Sequence, residues 1–259
     1  VRRGIPSNRR WVVGPGRWTP AAAGASLASW MRGDDLGAAI NTTPTPHQYA
    51  AIPDRGLLGG QYAQATSADQ PQVSTLWTPG PAPLFDGGRR LVHSADPADW
   101  AFLHDGTSNY LLSFVAVLDM AATTTILGTF DSSVTSAVGF NVRVGSGGNM
   151  NFRWHNGSGT AALFLNTALG TVASGVPFMI SVSKVGTTVA VYKDGSLLAN
   201  GTLTTPTTDP PNRTMIVGAS STGTEPIAGE LPEIVMFTGS TLPERSVVET
   251  YLSRWSYSP

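Results

Sequence analysis

In two hairpins beyond residue 83, apolar and polar positions alternate with a period of two. Phe140, Val142 and Val144 alternate with Asn141 and Arg143, and Met150, Phe152 and Trp154 alternate with Asn149, Asn151, Arg153 and His155. Successive side chains of a strand point to opposite faces, so both segments read as strands with one buried and one polar face. The Gly145-Ser146-Gly147-Gly148 stretch between them reads as a hairpin loop. A second hairpin follows. Val189 and Val191 alternate with Ala190 and Tyr192, then Asp194-Gly195 precedes Leu197-Leu198. Asp-Gly suits a two-residue I′ turn, which needs positive φ at both positions.

The same reasoning predicts strands near 84–86, 89–93, 110–119, 124–130, 137–145, 149–155, 161–166, 177–185, 188–194, 197–203, 213–219 and 229–237. Strands at this spacing, separated by turn signals, predict a sandwich or barrel. Before residue 82 the period is lost. "SLASWMRGDDLGAAI" reads as a short helical or extended lead-in, and prolines and glycines then predict long loops within 26–82. Residues 242–256, "LPERSVVETYLSRW" and its flank, predict the one good helix. Ser240 or Thr241 caps it, Pro243 sits in its first turn, and Val247, Val248, Tyr251, Leu252 and Trp255 form its apolar stripe.

Composition sharpens this picture. Charged residues are only 13% of the chain, while glycine (29) and proline (19) are plentiful, as in an all-β protein of many short strands. A net charge of −1 argues against nucleic-acid binding by the chain as a whole. There is no cysteine, hence no disulfide framework or thiolate zinc site. No apolar run is long enough for a spanning helix, so no membrane insertion is expected. Charge is uneven, however. Arg2, Arg3, Arg9, Arg10 and Arg17 all precede the first acid, Asp34. With Trp11 and Trp18 they make residues 1–25 an extended basic and aromatic arm whose docking surface is either its own domain or a neighbouring chain.

Several separated stretches follow one order: "LASWMRGDDL", "QATSADQPQV", "PLFDGGRRLV", the Asp-Gly hairpin, "MIVGASSTG", "IAGELPEIVMFTGS" and "LPERSVVETYLSRW". In this order they resemble concanavalin A-like lectin/glucanase domains of the laminin-G-like type, in particular those of bacteriophage tail and other virion proteins. The resemblance covers roughly residues 26–256. It implies a two-sheet antiparallel jelly-roll sandwich over 26–259, with the C-terminal helix packed at its edge. It also implies a virion structural protein, from a tail, fibre or head-decoration position, and the absence of a catalytic motif makes the expected role non-enzymatic. The arm would dock on other virion proteins or on copies of the chain, and an exposed face would contact cell-surface polysaccharide. The alternatives are a secreted or cell-surface carbohydrate-binding module and a polysaccharide-degrading enzyme of the same fold.

The polar face Asn141, Arg143, Asn151, Arg153 and His155 is the candidate glycan surface, because amides and guanidinium forks bond sugar hydroxyls and carboxylates. The competing reading is an ordinary solvated sheet face. Tyr192 and Tyr110 are the aromatic candidates for stacking on a sugar. Glucanases of this fold carry Glu-x-Asp-x-x-Glu on one strand, which is missing here. Glu230 and Glu233 are three apart, a spacing that on a regular strand sends them to opposite faces, with Pro232 marking an edge or bulge. The resemblance implies no organic cofactor. The metal that suits it is calcium, at the oxygen-rich loops of Asp86, Asp105 and Asn109, although Asp-Gly is also a plain turn signal.

Overall fold

A computed structural model describes residues 18–43, 46–130, 136–159, 161–220 and 225–259. Its strands are β1 (Leu27–Arg32), β2 (Ala39–Asn41), β3 (Gln48–Pro53), β4 (Gln61–Ala63), β5 (Gln72–Ser74), β6 (Trp77–Thr78), β7 (Ala82–Phe85), β8 (Leu91–His93), β9 (Tyr110–Asp119) and β10 (Thr124–Gly128). They continue with β11 (Val138–Val144), β12 (Met150–Asn156), β13 (Ala161–Asn166), β14 (Phe178–Val185), β15 (Thr188–Lys193), β16 (Ser196–Thr202), β17 (Ile216–Val217), β18 (Ala228–Thr238) and β19 (Ser256–Tyr257). One α-helix, α1 (Arg245–Leu252), lies between β18 and β19.

These strands build an all-β sandwich. The first sheet runs β16-β15-β14-β9-β18, with β1 and β7 bonded to opposite ends of the far side of β18. The second runs β13-β12-β11-β10-β17-β8-β4-β3-β2. β5 bonds both β7 and β3, which joins the two sheets. Alternation decides what fills the space between them. Leu112, Phe114, Ile180, Val182, Ile234 and Met236 from the first sheet meet Phe140, Val142, Phe152 and Trp154 from the second in one buried core.

β9 is apolar on both sides because both of its faces are covered. Leu111, Val115 and Val117 turn outward to join Val235, Phe237 and Trp30, and Val248, Leu252 and Trp255 pack over them. The helix therefore lies across the outer face of the first sheet and not at an edge. It is shorter than the sequence predicts. It begins after Glu244, no side chain caps it, and Ser256–Tyr257 leaves it to pair with Trp77–Thr78.

The hairpins come out as read. Asp194 and Gly195 have φ of 48° and 84°, the positive values that a I′ turn requires. Gly145 donates to Asn149 O across the other loop. The region before residue 82 differs from expectation, since β1 to β6 lie within it. These strands are short and interrupted by loops, and β1 is buried along nearly its whole length, so none shows a period of two. Pro20–Ser26 forms 3₁₀ turns and is not an extended arm. Trp18 meets its own sandwich, with its ring 6.0 Å from Phe237 and 6.0 Å from Tyr251. Arg2, Arg3, Arg9, Arg10, Trp11 and Arg17 lie outside the described residues. Among the described residues no helix is long and apolar enough to cross a membrane.

Candidate functional site

The pairing of β11 with β12 sets Asn141 opposite Arg153 and Arg143 opposite Asn151, with His155 opposite Gly139. The predicted polar residues thus share the outer face of the second sheet. β13 adds Phe164 beside Arg153, and β10 adds Thr125 beside Arg143. Two shallow depressions meet at Arg153. One, about 450 Å³, is lined by Arg143, Asn149, Asn151, Gly147 and Leu169. The other, about 250 Å³, is lined by His155, Ala161 and Phe164.

The two arginines are held differently. Arg143 donates to Glu225, which also accepts from Thr125 Oγ1 at 2.9 Å. Glu225 reaches them from a loop with φ of 54°, a backbone conformation uncommon outside glycine. Arg153 has no carboxylate partner among the described residues. Its guanidinium lies 5.0 Å from the centre of the Phe164 ring. Burial pushes its pKa down, and the like charge of Arg143 acts in the same direction, while the charge of Glu225 opposes both. An arginine nevertheless stays protonated, so the result is a cation that feels the charge of Glu225 without a direct hydrogen bond to it. Three polar atoms of this face are buried without a partner: Asn141 Oδ1, Arg143 Nε and Arg153 Nε. Asn141 itself is only 2% exposed, deeper than a solvated sheet face would place it. His155 packs 4.6 Å from Phe130, and burial, reinforced by Arg153, pushes its pKa down.

Sequence reading missed Phe164, Leu169 and Glu225. Phe164 was legible in principle, since it is the out-facing member of "ALFLN", and it stays 47% exposed. Leu169 and Glu225 sit in loops with no periodicity to reveal them. Tyr192 is not part of this face. It lies on β15 in the other sheet, under the Arg245 guanidinium at 3.8 Å. Tyr110 is buried in the core, with its hydroxyl accepting from Trp154 Nε1 at 3.2 Å.

The loop proposed for calcium holds a different cation. The Lys184 ammonium donates to Asp105 Oδ1 at 3.1 Å, to Gly186 O at 3.2 Å and to Ser108 O. Asn109 Oδ1 accepts from Gly186 N. Of the oxygen ligands read from sequence, Asp105 therefore pairs with the chain's own lysine and Asn109 with a backbone N–H. Asp86 is on a separate loop after β7, exposed. Among the described residues no three metal-ligating side chains come together.

Glu230 and Glu233 also depart from expectation. A bulge between them sets Glu230 opposite Val117 and Glu233 opposite Val115, so both point to the helix side of the first sheet. Glu233 is then used up structurally. It accepts from Trp30 Nε1 at 2.6 Å, from Arg254 Nη2 at 2.7 Å and from Trp255 Nε1.

No family model and no curated protein sequence matches the chain. Solved structures do match its fold. The ligand binding domain of botulinum neurotoxin serotype D, in complex with N-acetylneuraminic acid, superposes with a TM-score of 0.62 at 11% identity over 90% of this chain and 52% of that one. The binding domain of botulinum neurotoxin DC, in complex with rat synaptotagmin II, gives 0.59 at 11% identity over 88% and 52%. The chain spans about half the length of these structures, and at such low identity the likeness is one of fold: a β-sandwich shared with these binding domains.

Proposed function

We propose that the chain is a non-catalytic module that binds acidic glycans on the outer face of its second sheet. The observation that carries this reading is Arg153, a half-buried guanidinium over an exposed aromatic ring, with no carboxylate partner among the described residues. A sugar carboxylate supplies the missing anion, Asn149 and Asn151 suit hydroxyls, and Phe164 and Leu169 offer apolar surface to a ring or acetyl group. The complex of a structurally similar domain with N-acetylneuraminic acid is consistent with this choice.

The test is titration with 3′-sialyllactose and with lactose. The sialylated sugar is expected to bind and lactose to bind far more weakly. Arg153→Gln is expected to lose about 10- to 100-fold, the worth of a charge-assisted hydrogen bond. Equal binding of both sugars, or an Arg153→Gln variant that binds like wild type, overturns the reading.

The setting we propose for this module is a virion, with residues 1–25 attaching it to other virion proteins or to further copies of the chain. The ordered sequence resemblance supports that setting, as does the basic aromatic composition of the arm. Native mass measured for the full chain and for a chain beginning at Ser26 tests it. A defined oligomer or co-assembly with virion proteins is expected for the former and a folded monomer for the latter. The same monomer from both argues for an unattached module.

A further inference from the structure

On the outer face of the second sheet, Arg153 stands at the junction of two unlike surfaces. It lines both depressions, the one bounded by Asn149, Asn151 and Leu169 and the one bounded by His155, Ala161 and Phe164. The strand explains this. Asn151, Arg153 and His155 are alternate residues of β12, so they form a row on one face with Arg153 in the middle. From Asn151 to His155 the row runs about 13 Å, at about 3.3 Å per residue. That is longer than one sugar ring and suits two.

The two sides differ in chemistry. On the Asn151 side, Asn149, Asn151 and Ser146 offer donors and acceptors, and exposed Leu169 offers one apolar contact. On the His155 side the surface is Ala161, the imidazole and the exposed Phe164 ring. Arg153 is the cation common to both, itself partly exposed, and among the described residues no carboxylate lines either depression. The other arginine, Arg143, is engaged by Glu225. Burial and the charge of Arg153 lower the pKa of His155, which leaves the imidazole neutral near pH 7.

Acidic sugars differ in where the carboxylate hangs. In a ketosidic acid such as N-acetylneuraminic acid it is on the linkage carbon itself, between the acidic ring and its neighbour. In a terminal hexuronic acid it lies across the ring from the linkage. Building on the reading of this face as an acidic-glycan site, we propose that it recognises a ketosidic acid joined to a neutral ring, with the linkage over Arg153. The carboxylate meets the guanidinium, and the acidic ring lies over Asn149 and Asn151. The neighbouring ring lies against the exposed part of Phe164. A neutral ring suits that side, because Arg153 is already committed and His155 carries no charge to pair with a second acid.

Titration of the full chain with three sugars tests the proposal. They are the α-methyl glycoside of N-acetylneuraminic acid, with one ring; 3′-sialyllactose, with neutral neighbours; and galactose bearing a terminal glucuronic acid, with the carboxylate displaced. 3′-Sialyllactose is expected to bind about tenfold more tightly than the methyl glycoside, the worth of roughly 55 Å² of apolar surface. It is also expected to bind about tenfold more tightly than the glucuronide, which cannot seat both rings and still reach Arg153. Phe164→Ala, at an exposed side chain, should cut 3′-sialyllactose binding about tenfold more than methyl-glycoside binding. Leu169→Ala should lower both by about threefold. Equal affinity of 3′-sialyllactose and either of the other sugars, or a Phe164→Ala variant that keeps the tenfold advantage, overturns the placement and leaves the acidic-glycan reading standing. Absence of binding by all three sugars overturns both.

Discussion

Glu233→Ala is expected to destabilise the fold by about 3–5 kcal/mol, the cost of removing one partner from a buried charge pair. Glu233 is fully buried beneath the helix, and its two oxygens collect the indole N–H of Trp30, the indole N–H of Trp255 and the Arg254 guanidinium. Alanine leaves two buried indole donors without acceptors and withdraws the carboxylate that Arg254 faces. Among the described residues Arg254 then keeps one carboxylate, Asp34 at 3.6 Å, and Asp34 is already shared with Arg32. These contacts tie β1, β18 and the segment after α1 together, so loosening of the helix layer should accompany the loss. For a chain of this size the melting temperature should fall by roughly 10 °C. Glu233→Gln keeps one acceptor oxygen and should recover part of the loss. A Glu233→Ala midpoint within about 1 kcal/mol of wild type would show that the layer stands without its central acid.

Lys184→Met is the second large effect, expected at about 3 kcal/mol, the low end for breaking a buried pair. Methionine fills the space of the lysine stem but abandons Asp105, Ser108 O and Gly186 O. The loss stays at the low end because Asp105 keeps Ser108 N at 2.8 Å and Thr107 N at 3.2 Å. Adding Asp105→Asn should restore part of the stability, since a neutral group no longer lacks its cation.

The pH profile follows from the same cluster. Burial pushes the Asp105 carboxyl up, but hydrogen bonds from Ser108 and the charge of Lys184 outweigh it, so the group titrates below its ordinary 3.8. Its contribution is therefore complete above about pH 4 and is lost as the pH falls through the depressed folded value. Neighbouring His104 has the same sign in a higher window. Burial lowers it from 6.5, its Nε2 donates to Asp209 O, and buried Nδ1 has no acceptor for a second proton. The unfolded chain takes up that proton first, so stability should decline as the pH drops below about 6.5. Urea midpoints at pH 7.5 and 5.5, with and without His104→Gln, measure the share due to this imidazole. An unchanged pH difference in the variant would remove His104 from the account.

Local pattern carried much of the fold. From β7 to β18 the strands announced themselves by their spacing and, in β11, β12 and β15, by alternation, and the Asp194-Gly195 turn by its need for positive φ. The strands β1 to β6 did not. A strand of two or three residues has no period to read, and β1, buried on both sides, carries an apolar run that suits a helix equally well. The candidate site was half legible for a related reason. Asn141, Arg143, Asn151, Arg153 and His155 lie on adjacent strands of one hairpin, so local register alone brings them together. Glu225 and Leu169 arrive from distant loops, and Phe164 joins only through the β12–β13 pairing.

By itself, then, the order of residues determined an all-β sandwich, its hairpins and one arginine-bearing face, because each rests on a two-residue period or a single turn. Tertiary structure alone decided the fate of the charges. The helix lies across a sheet and turns Glu233 into a buried hub. A bulge between Glu230 and Glu233 brings Glu230 to the same side, where it too is buried. Lys184, 79 residues from Asp105 in sequence, pairs with the acid of a loop that the sequence offered as one of two calcium candidates. Burial and the partners available at a distance set what a charged group does, and neither is encoded within the reach of a strand or a turn.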